Sequence, residues 1–519
     1  MDKISVLVLL KKYKEWMKKD IKFLEKESPE KKEISECLDY LIEAFKKAKD
    51  DAKAKKNELS DNLDLHSIHE KGKKLWRNLM SLCLEDIDET AKGNSKLYEF
   101  IDKATDFEDI LYGLERYYRD HTLHSLWVYF IGEYILREKL TNLHDNLYWY
   151  VFNDIKENDE AENNADSMVN DKKEEKESSY SKAEEKIINL HTEVNKKKDA
   201  IWCIIALCHD LGYSMSKLSK LNEKVKGVLD FFDLVSDSHV GYEFNIEHQY
   251  NITQFLELMA MDVRIVNNDE EEPKIKCIRD DSTYWRLCRA LEKKQHGIYS
   301  AYLIYKVLGV FADSWVGSTA DNFDEDEAVD NIIRGVILFA IAQHEFEFAH
   351  LNFIGGLAEL LILADELEEF SRLGRQLLSR KYHDTMAHSD IIFNIIDNEG
   401  VNEVEITFNY EVTKENDLKK FFYRKAQRLA QVFSLGVDAK ISPYSMRITK
   451  IFMKAKKGRN TFAVEMAEEA FKGALPKFKK NKKGDYILKC KDDVLTVLPE
   501  GKDPVPLSEW MIIEKVGGE

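Results

Sequence analysis

Apolar and polar positions follow three rhythms along this chain, and each change of rhythm marks a change of structure. From Val6 to Lys26 and from Ile34 to Lys55, apolar residues recur at helical spacing in a charged background. That spacing predicts amphipathic helices over residues 1–104, either an interaction arm or an extra helical layer. From about 105 to 388 the apolar runs become nearly unbroken: Trp127 to Ile131, Ile201 to Cys208, Ile298 to Ile304, Ile337 to Ala342 and Leu360 to Ala364. Runs of this kind predict helices buried on all sides. Only Pro273 lies between Pro29 and Pro443, so helix breakers are almost absent from this body. After residue 388 the period falls to two. Val404-Glu405-Ile406-Thr407-Phe408-Asn409-Tyr410-Glu411 alternates without exception, as a strand with one buried face does.

Around that strand a small C-terminal α+β domain, 389–519, is expected. Ile391 to Ile396 is its hairpin partner, with the turn near Asn398-Glu399-Gly400. Asp417 to Phe433 reads as a helix, Met446 to Met453 as a further strand, and Tyr486 to Leu488 with Val494 to Val497 as a terminal hairpin. Three polar stretches interrupt the helical body. Residues 156–198 hold Lys156-Glu157-Asn158-Asp159-Glu160 and Asp171-Lys172-Lys173-Glu174-Glu175-Lys176, which bury little apolar surface. They predict an exposed, partly disordered insertion with a solvated helix near Ala183 to Val194. Asn267 to Lys274 and Gly317 to Glu327 are shorter insertions of the same kind.

Composition narrows the function classes. A chain of 519 residues exceeds one ordinary core, so several domains or sub-domains are expected. Its formal net charge of −18 opposes non-specific binding to nucleic-acid backbones. Seven cysteines, with no CxxC pair, point to a reducing compartment and no disulfide framework. No apolar run reaches the roughly 18 residues of a membrane span. Met1-Asp2-Lys3-Ile4 leads into a charged helix and not a signal peptide, so a cytoplasmic location is expected.

Three histidines precede an aspartate: His144-Asp145, His209-Asp210 and His383-Asp384. Only His209-Asp210 ends a strongly apolar run and precedes Leu211-Gly212-Tyr213. A charge at the end of a buried helix needs a partner, and a divalent cation is one. The bland alternative is a core histidine beside a capping aspartate. Other apolar helices carry similar residues. His121 and His124 stand three apart at the start of one, His296 opens another, His344 ends a third and Asp365 lies near the end of a fourth. Each has its own bland reading as a cap or a solvent-facing residue, but the repetition makes coincidence a poor account.

In order, His124, His209-Asp210, His296, His344 and Asp365 resemble the H…HD…H…H…D signature of HD-domain phosphohydrolases. His124-Ser125-Leu126-Trp127-Val128, His209-Asp210-Leu211-Gly212-Tyr213 and Ala364-Asp365-Glu366-Leu367 carry the resemblance, which spans roughly residues 105–385. It implies a mainly α protein: an HD-type helical bundle flanked by the N-terminal helices and the C-terminal α+β domain. It implies one or two divalent ions, Mn, Mg, Fe, Co, Ni or Zn, with His124, His209, Asp210 and Asp365 as the first site. His296 and His344 would complete a second site, with Asp210 bridging the two. His121 is an alternative to His124, and His239 or His350 an alternative to a later histidine. Asp210 and Lys217 are the catalytic candidates. Arg116, Lys217 and Lys294 are candidates for holding a small phosphorylated substrate, a nucleotide or cyclic nucleotide by family analogy. Arg119 and Lys293 are weaker ones. The N-terminal helices are candidates for a protein partner or self-association. No phosphate loop, GxGxxG, HExxH or GxSxG competes, and Gly355-Gly356 reads as a close-packing site within a helix. Two alternatives stand beside this one: an HD-type diiron oxygenase, since that chemistry also occurs on HD scaffolds, and a non-catalytic HD sensor or scaffold, which the intact ligand set argues against.

Overall fold

The computed structural model describes residues 3–55, 64–90, 94–112, 120–141, 144, 151–154, 169–230, 249–266, 273–311, 323–345, 351, 353–368, 370, 386–398, 401–412, 432, 446–457, 460–467, 477–480, 486–489, 496–499 and 505–506. The described residues are mostly helical, with a small sheet formed largely by the C-terminal part of the chain. The helices are α1 (Val6–Trp16), α2 (Pro29–Lys55), α3 (Leu65–Ile87), α4 (Asn94–Tyr112), α5 (His121–Tyr134), α6 (Val169–Lys196), α7 (Lys198–Cys208), α8 (Tyr213–Ser216), α9 (Leu218–Leu229), α10 (Gln249–Met259), α11 (Asp281–Glu292), α12 (His296–Val307), α13 (Glu325–Gln343) and α14 (Leu357–Leu367).

Helices α5 and α7 form the centre. Every residue from Leu123 to Tyr134 and from Asp199 to Cys208 is buried, as expected of helices apolar all round. The N-terminal helices are a layer against them. Leu9, Tyr13, Leu38, Leu75 and Leu79 share one contiguous core with Trp127 and Trp202. A buried polar network reinforces this layer. Arg137 donates to Glu133 (2.6 Å), to Asp199 (2.7 Å) and to the Asp20 carbonyl (3.0 Å). Burial works to raise the Asp199 pKa, but the partners His144 and Arg137 outweigh it and hold the carboxyl below its ordinary value. For Glu133 burial prevails, and its carboxyl is raised.

Two of the polar stretches are less open than expected. In the expected insertion 156–198, α6 runs to Lys196, and Ala183, Leu190 and Val194 are buried at helical spacing. A charged sequence with one apolar stripe still packs. The stretch ending at Glu327 contains the start of α13, where Asp324 and Glu327 form a reciprocal capping box. Gly355-Gly356 is not inside a helix. It separates a short strand, Phe353–Ile354, from α14, with Gly356 as the N-cap. The residues flanking the Asn267 insertion are strands that were not anticipated. Met261–Val266 pairs antiparallel with Lys274–Arg279, burying Val263, Ile265, Ile275 and Cys277.

In the C-terminal sheet, Met386–Asn398 and Val401–Val412 form the expected hairpin, with Ile391 opposite Phe408. Met446–Lys457 adds in parallel to Val401–Val412. The helix expected over Asp417 to Phe433 lies, apart from Val432, outside the described residues. The terminal hairpin is corrected. Tyr486–Lys489 pairs with Lys477–Lys480, whereas Thr496–Pro499 joins Asn460–Ala467 in the larger sheet. Short alternating runs do not encode which partner they find. The sheet also recruits Lys3–Ile4 and Phe353–Ile354 from the rest of the chain.

Candidate metal centre

The buried helices deliver their polar residues to one place. Asp120 caps α5, accepting from the Leu123 amide at 3.0 Å, and so places His121 and His124 in its first turn. His209 is the residue that ends α7, His344 ends α13, His296 opens α12 and Asp365 lies in the last turn of α14. Donor atoms of His124, His209 and Asp210 lie within 4.8 Å of one another, as do those of Asp210, His296 and His344.

The two groups share Asp210 and are built alike. Asp210 Oδ2 is 3.3 Å from His124 Nε2 and 3.6 Å from His209 Nε2. Oδ1 is 3.0 Å from His296 Nε2 and 3.6 Å from His344 Nε2. Asp365 Oδ1 is 3.1 Å from His124 Nε2. In each pair, one imidazole is oriented by a carboxylate and the other by a carbonyl of its own helix. His124 Nδ1 lies 2.6 Å from Glu368, and His296 Nδ1 lies 2.7 Å from Glu345. His209 Nδ1 lies 2.8 Å from the Ala206 carbonyl, and His344 Nδ1 lies 2.6 Å from that of Ile341. Since a carbonyl only accepts, Nδ1 of His209 and His344 must carry the proton, which leaves Nε2 with its lone pair toward the centre.

These contacts test whether a metal fits. The Nε2 atoms of His124 and His209 are 3.2 Å apart, and those of His296 and His344 are 3.0 Å apart. With both Nδ1 atoms protonated, the His124–His209 pair sets two lone pairs facing, which only a cation or a shared proton relieves, and the His296–His344 pair is as close with Asp210 Oδ1 beside it. Ligand atoms about 2.1 Å from one ion lie about 3.0 Å apart at right angles and about 3.4 Å apart tetrahedrally. The observed separations match the edges of such a polyhedron, and the nitrogen and carboxylate donors suit divalent transition metals.

The charges agree with mutual dependence. Burial, with repulsion from His124 and His344, outweighs the pull of Asp210 and pushes the His209 pKa down to about 4. Burial would raise Asp210, but His209 and the hydrogen bonds of His124, His296 and His344 hold its carboxyl well below the usual range. Burial would lower His296, but Asp210 and Glu345 outweigh it and push it up to about 9.

Two glycines permit the assembly. A Cβ on Gly212 would stand 2.4 Å from the His296 carbonyl oxygen and 2.6 Å from the Ser300 amide, so the turn after Asp210 could not seat against α12. The Gly212 amide instead donates to Ser300 Oγ at 2.7 Å. A Cβ on Gly297 would stand 2.8 Å from the Ile341 carbonyl, where α12 meets the end of α13.

All six residues expected as metal ligands therefore converge. His121 is a peripheral neighbour, its Nε2 3.9 Å from Asp210 Oδ2 and its ring 4.2 Å from that of Tyr213. Lys217 is held 4.1 Å over the other ring neighbour of the site, Tyr213, and so sits one aromatic ring away from the histidines. Lys294 is exposed, in a left-handed turn with φ 55° just before His296. Arg116, Arg119, His239, His350 and His383 lie outside the described residues. His144 stands apart from the centre, its Nε2 3.7 Å from Asp199. A cavity of about 40 Å³, room for a water or two, touches Asp210, His121 and Trp76. Sequence reasoning missed Glu345 and Glu368. The signal was there: Glu345 follows His344, and Glu368 is three residues beyond Asp365, on the same helical side.

No family model matches this chain, and neither a curated protein nor a solved structure is significantly similar to it. Among the described residues, no helix is long and apolar enough to cross a membrane.

Proposed function

We propose that this chain is a metal-dependent phosphohydrolase of the HD type, cleaving a phosphoester of a nucleotide or cyclic nucleotide with metal-activated water. The observation that carries the reading is the meeting of two histidine pairs on the two oxygens of one buried aspartate. The nucleotide part rests on the resemblance alone. A divalent ion held there lowers the pKa of bound water toward neutrality and neutralises charge on phosphoryl oxygens. His124, His209, Asp210 and Asp365 would hold one ion. His296 and His344 would hold a second, with Asp210 common to both. Glu368 and Glu345 fix the rings of His124 and His296 and raise their basicity. The apolar walls of α5, α7 and α13 exclude bulk water from one side and strengthen every charge interaction within. Lys217, which lies over the Tyr213 ring, would be the cation that meets the substrate anion.

The test is metal analysis of the purified protein, followed by a nucleotide panel assayed with Mn, Mg, Co and Fe, with Asp210→Ala as control. Metal-stimulated phosphate release that Asp210→Ala abolishes supports the reading. Iron with oxygen consumption and no phosphate release would favour the diiron oxygenase. Bound metal with neither activity would favour the sensor or scaffold.

A further inference from the structure

The helix α3 lies before the stretch that carries the HD resemblance, yet it bonds to Asp120, the cap of the His124 helix, and to the end of the His209 helix. Its His69 is buried, and Nδ1 lies 2.7 Å from Asp120 Oδ2. Asp120 is fully buried and divides its carboxylate: Oδ1 caps α5 at Leu123, and Oδ2 takes the His69 ring. The Asp120 carbonyl also accepts from the His124 amide at 2.7 Å. His69 therefore fixes the residue that fixes the first turn bearing His124. Two turns further along α3, Trp76 Nε1 donates at 3.0 Å to the Leu207 carbonyl, in the last turn of α7 and two residues before His209. The Trp76 ring also lines the small cavity beside Asp210.

His69 Nε2 is buried with no hydrogen-bond partner among the described residues. An unpaired buried acceptor is costly, so an apolar ring would pack there at less cost if the bond to Asp120 were not needed. We infer that His69 and Trp76 are positioning residues of the metal centre, α3 holding the His124 helix at one end and the His209 helix at the other. This rests on the metal reading above. It makes the N-terminal helices an integral part of the site and not a detachable arm.

The experiment uses the full chain, titrated with Co(II) and followed by its visible absorption, together with amide hydrogen exchange of the metal-free protein. Asp365→Asn identifies the absorption phase that belongs to the His124 site. His69→Ala and Trp76→Phe should each weaken Co(II) binding in that phase by about tenfold and alter its spectrum, leaving the other phase intact. His69→Asn, whose amide can reach Asp120 as Nδ1 does, should restore much of the loss. In the metal-free protein, His69→Ala should speed exchange across residues 120–126 but not across α13. Wild-type affinity and spectrum in both variants would overturn the inference. Should the wild type bind no Co(II), the metal reading falls, and unchanged exchange at 120–126 would then overturn this inference separately. Trp76→Phe keeps an aromatic ring in the core and carries the test if His69→Ala does not fold.

Discussion

Glu368 offers a graded measurement of the centre. It is fully buried, and its carboxylate meets His124 Nδ1 at 2.6 Å, short enough for a charge-assisted hydrogen bond. Glu368→Gln keeps an acceptor oxygen and removes the charge. A hydrogen bond to a charged group contributes about 1.5–3 kcal/mol and a neutral one about 0.5–1.5, so the change costs about 1–1.5 kcal/mol. If that bond strengthens the His124–metal contact, affinity should fall about tenfold. Glu368→Ala removes the acceptor as well and should approach the hundredfold typical of lost outer partners. Glu345, which orients His296 in the same way, is 33% exposed against 0% for Glu368. Water can replace part of its contact, so Glu345→Gln should cost only a few-fold at the second site, by screening. The assay is competition with a chromophoric chelator, using Zn or Co, on the two variants and the wild type. Unchanged affinity in Glu368→Gln, or a larger loss in Glu345→Gln, would refute the assignment of Glu368 to a metal-bound His124.

Further outcomes follow from the same geometry. If the proposed pair of ions is held, Asp210→Ala should lose both together, since each carboxylate oxygen faces one histidine pair; bound metal per chain, read by elemental analysis, should fall to none and not to half. Gly212→Ala forces a Cβ against the backbone of α12 and should destabilise the fold by about 1–3 kcal/mol in urea denaturation, with its loss of metal affinity concentrated at His296 and His344. Arg137→Met strands the buried Glu133 carboxylate, while Asp199 keeps His144 and the Lys22 amide, and should cost about 3–5 kcal/mol at pH 7. Its pH dependence has a definite sign. In the wild type the depressed Asp199 pKa gives stability that is present above pH 3.8 and lost as pH falls through the folded value. Without Arg137 the Glu133 carboxyl, already raised by burial, rises further, and Asp199 loses one of the partners that hold it down, so the variant's deficit should be small near pH 4 and grow toward pH 7. Urea midpoints at the two pH values check it, and a deficit independent of pH would contradict the network.

Much of the candidate ligand set was legible because the His/Asp cluster is assembled from helix ends. A polar residue that terminates an unbroken apolar run, such as His209, His344 or Asp365, must sit at the edge of the core, and few partners satisfy it there. The strand at Val404 was equally readable, since period-two alternation over eight residues admits no helix. The turn after Asp210 carries its own constraint too, for only glycine at 212 clears the backbone of α12.

Other features depended on what lay beside them in space. Glu345 and Glu368 became partners of histidines only when α12 and α5 came alongside, and His69 faces Asp120 across 51 residues of chain. The charged stretch ending at Lys196 looked solvated, because a few apolar residues in a long charged helix count for little until a core exists to bury Ala183, Leu190 and Val194. Strand partners at Tyr486 and Thr496 were settled by competition between neighbours, which local propensity does not encode. Periodicity along one element reports which face is buried; the identity of what it is buried against belongs to the whole fold.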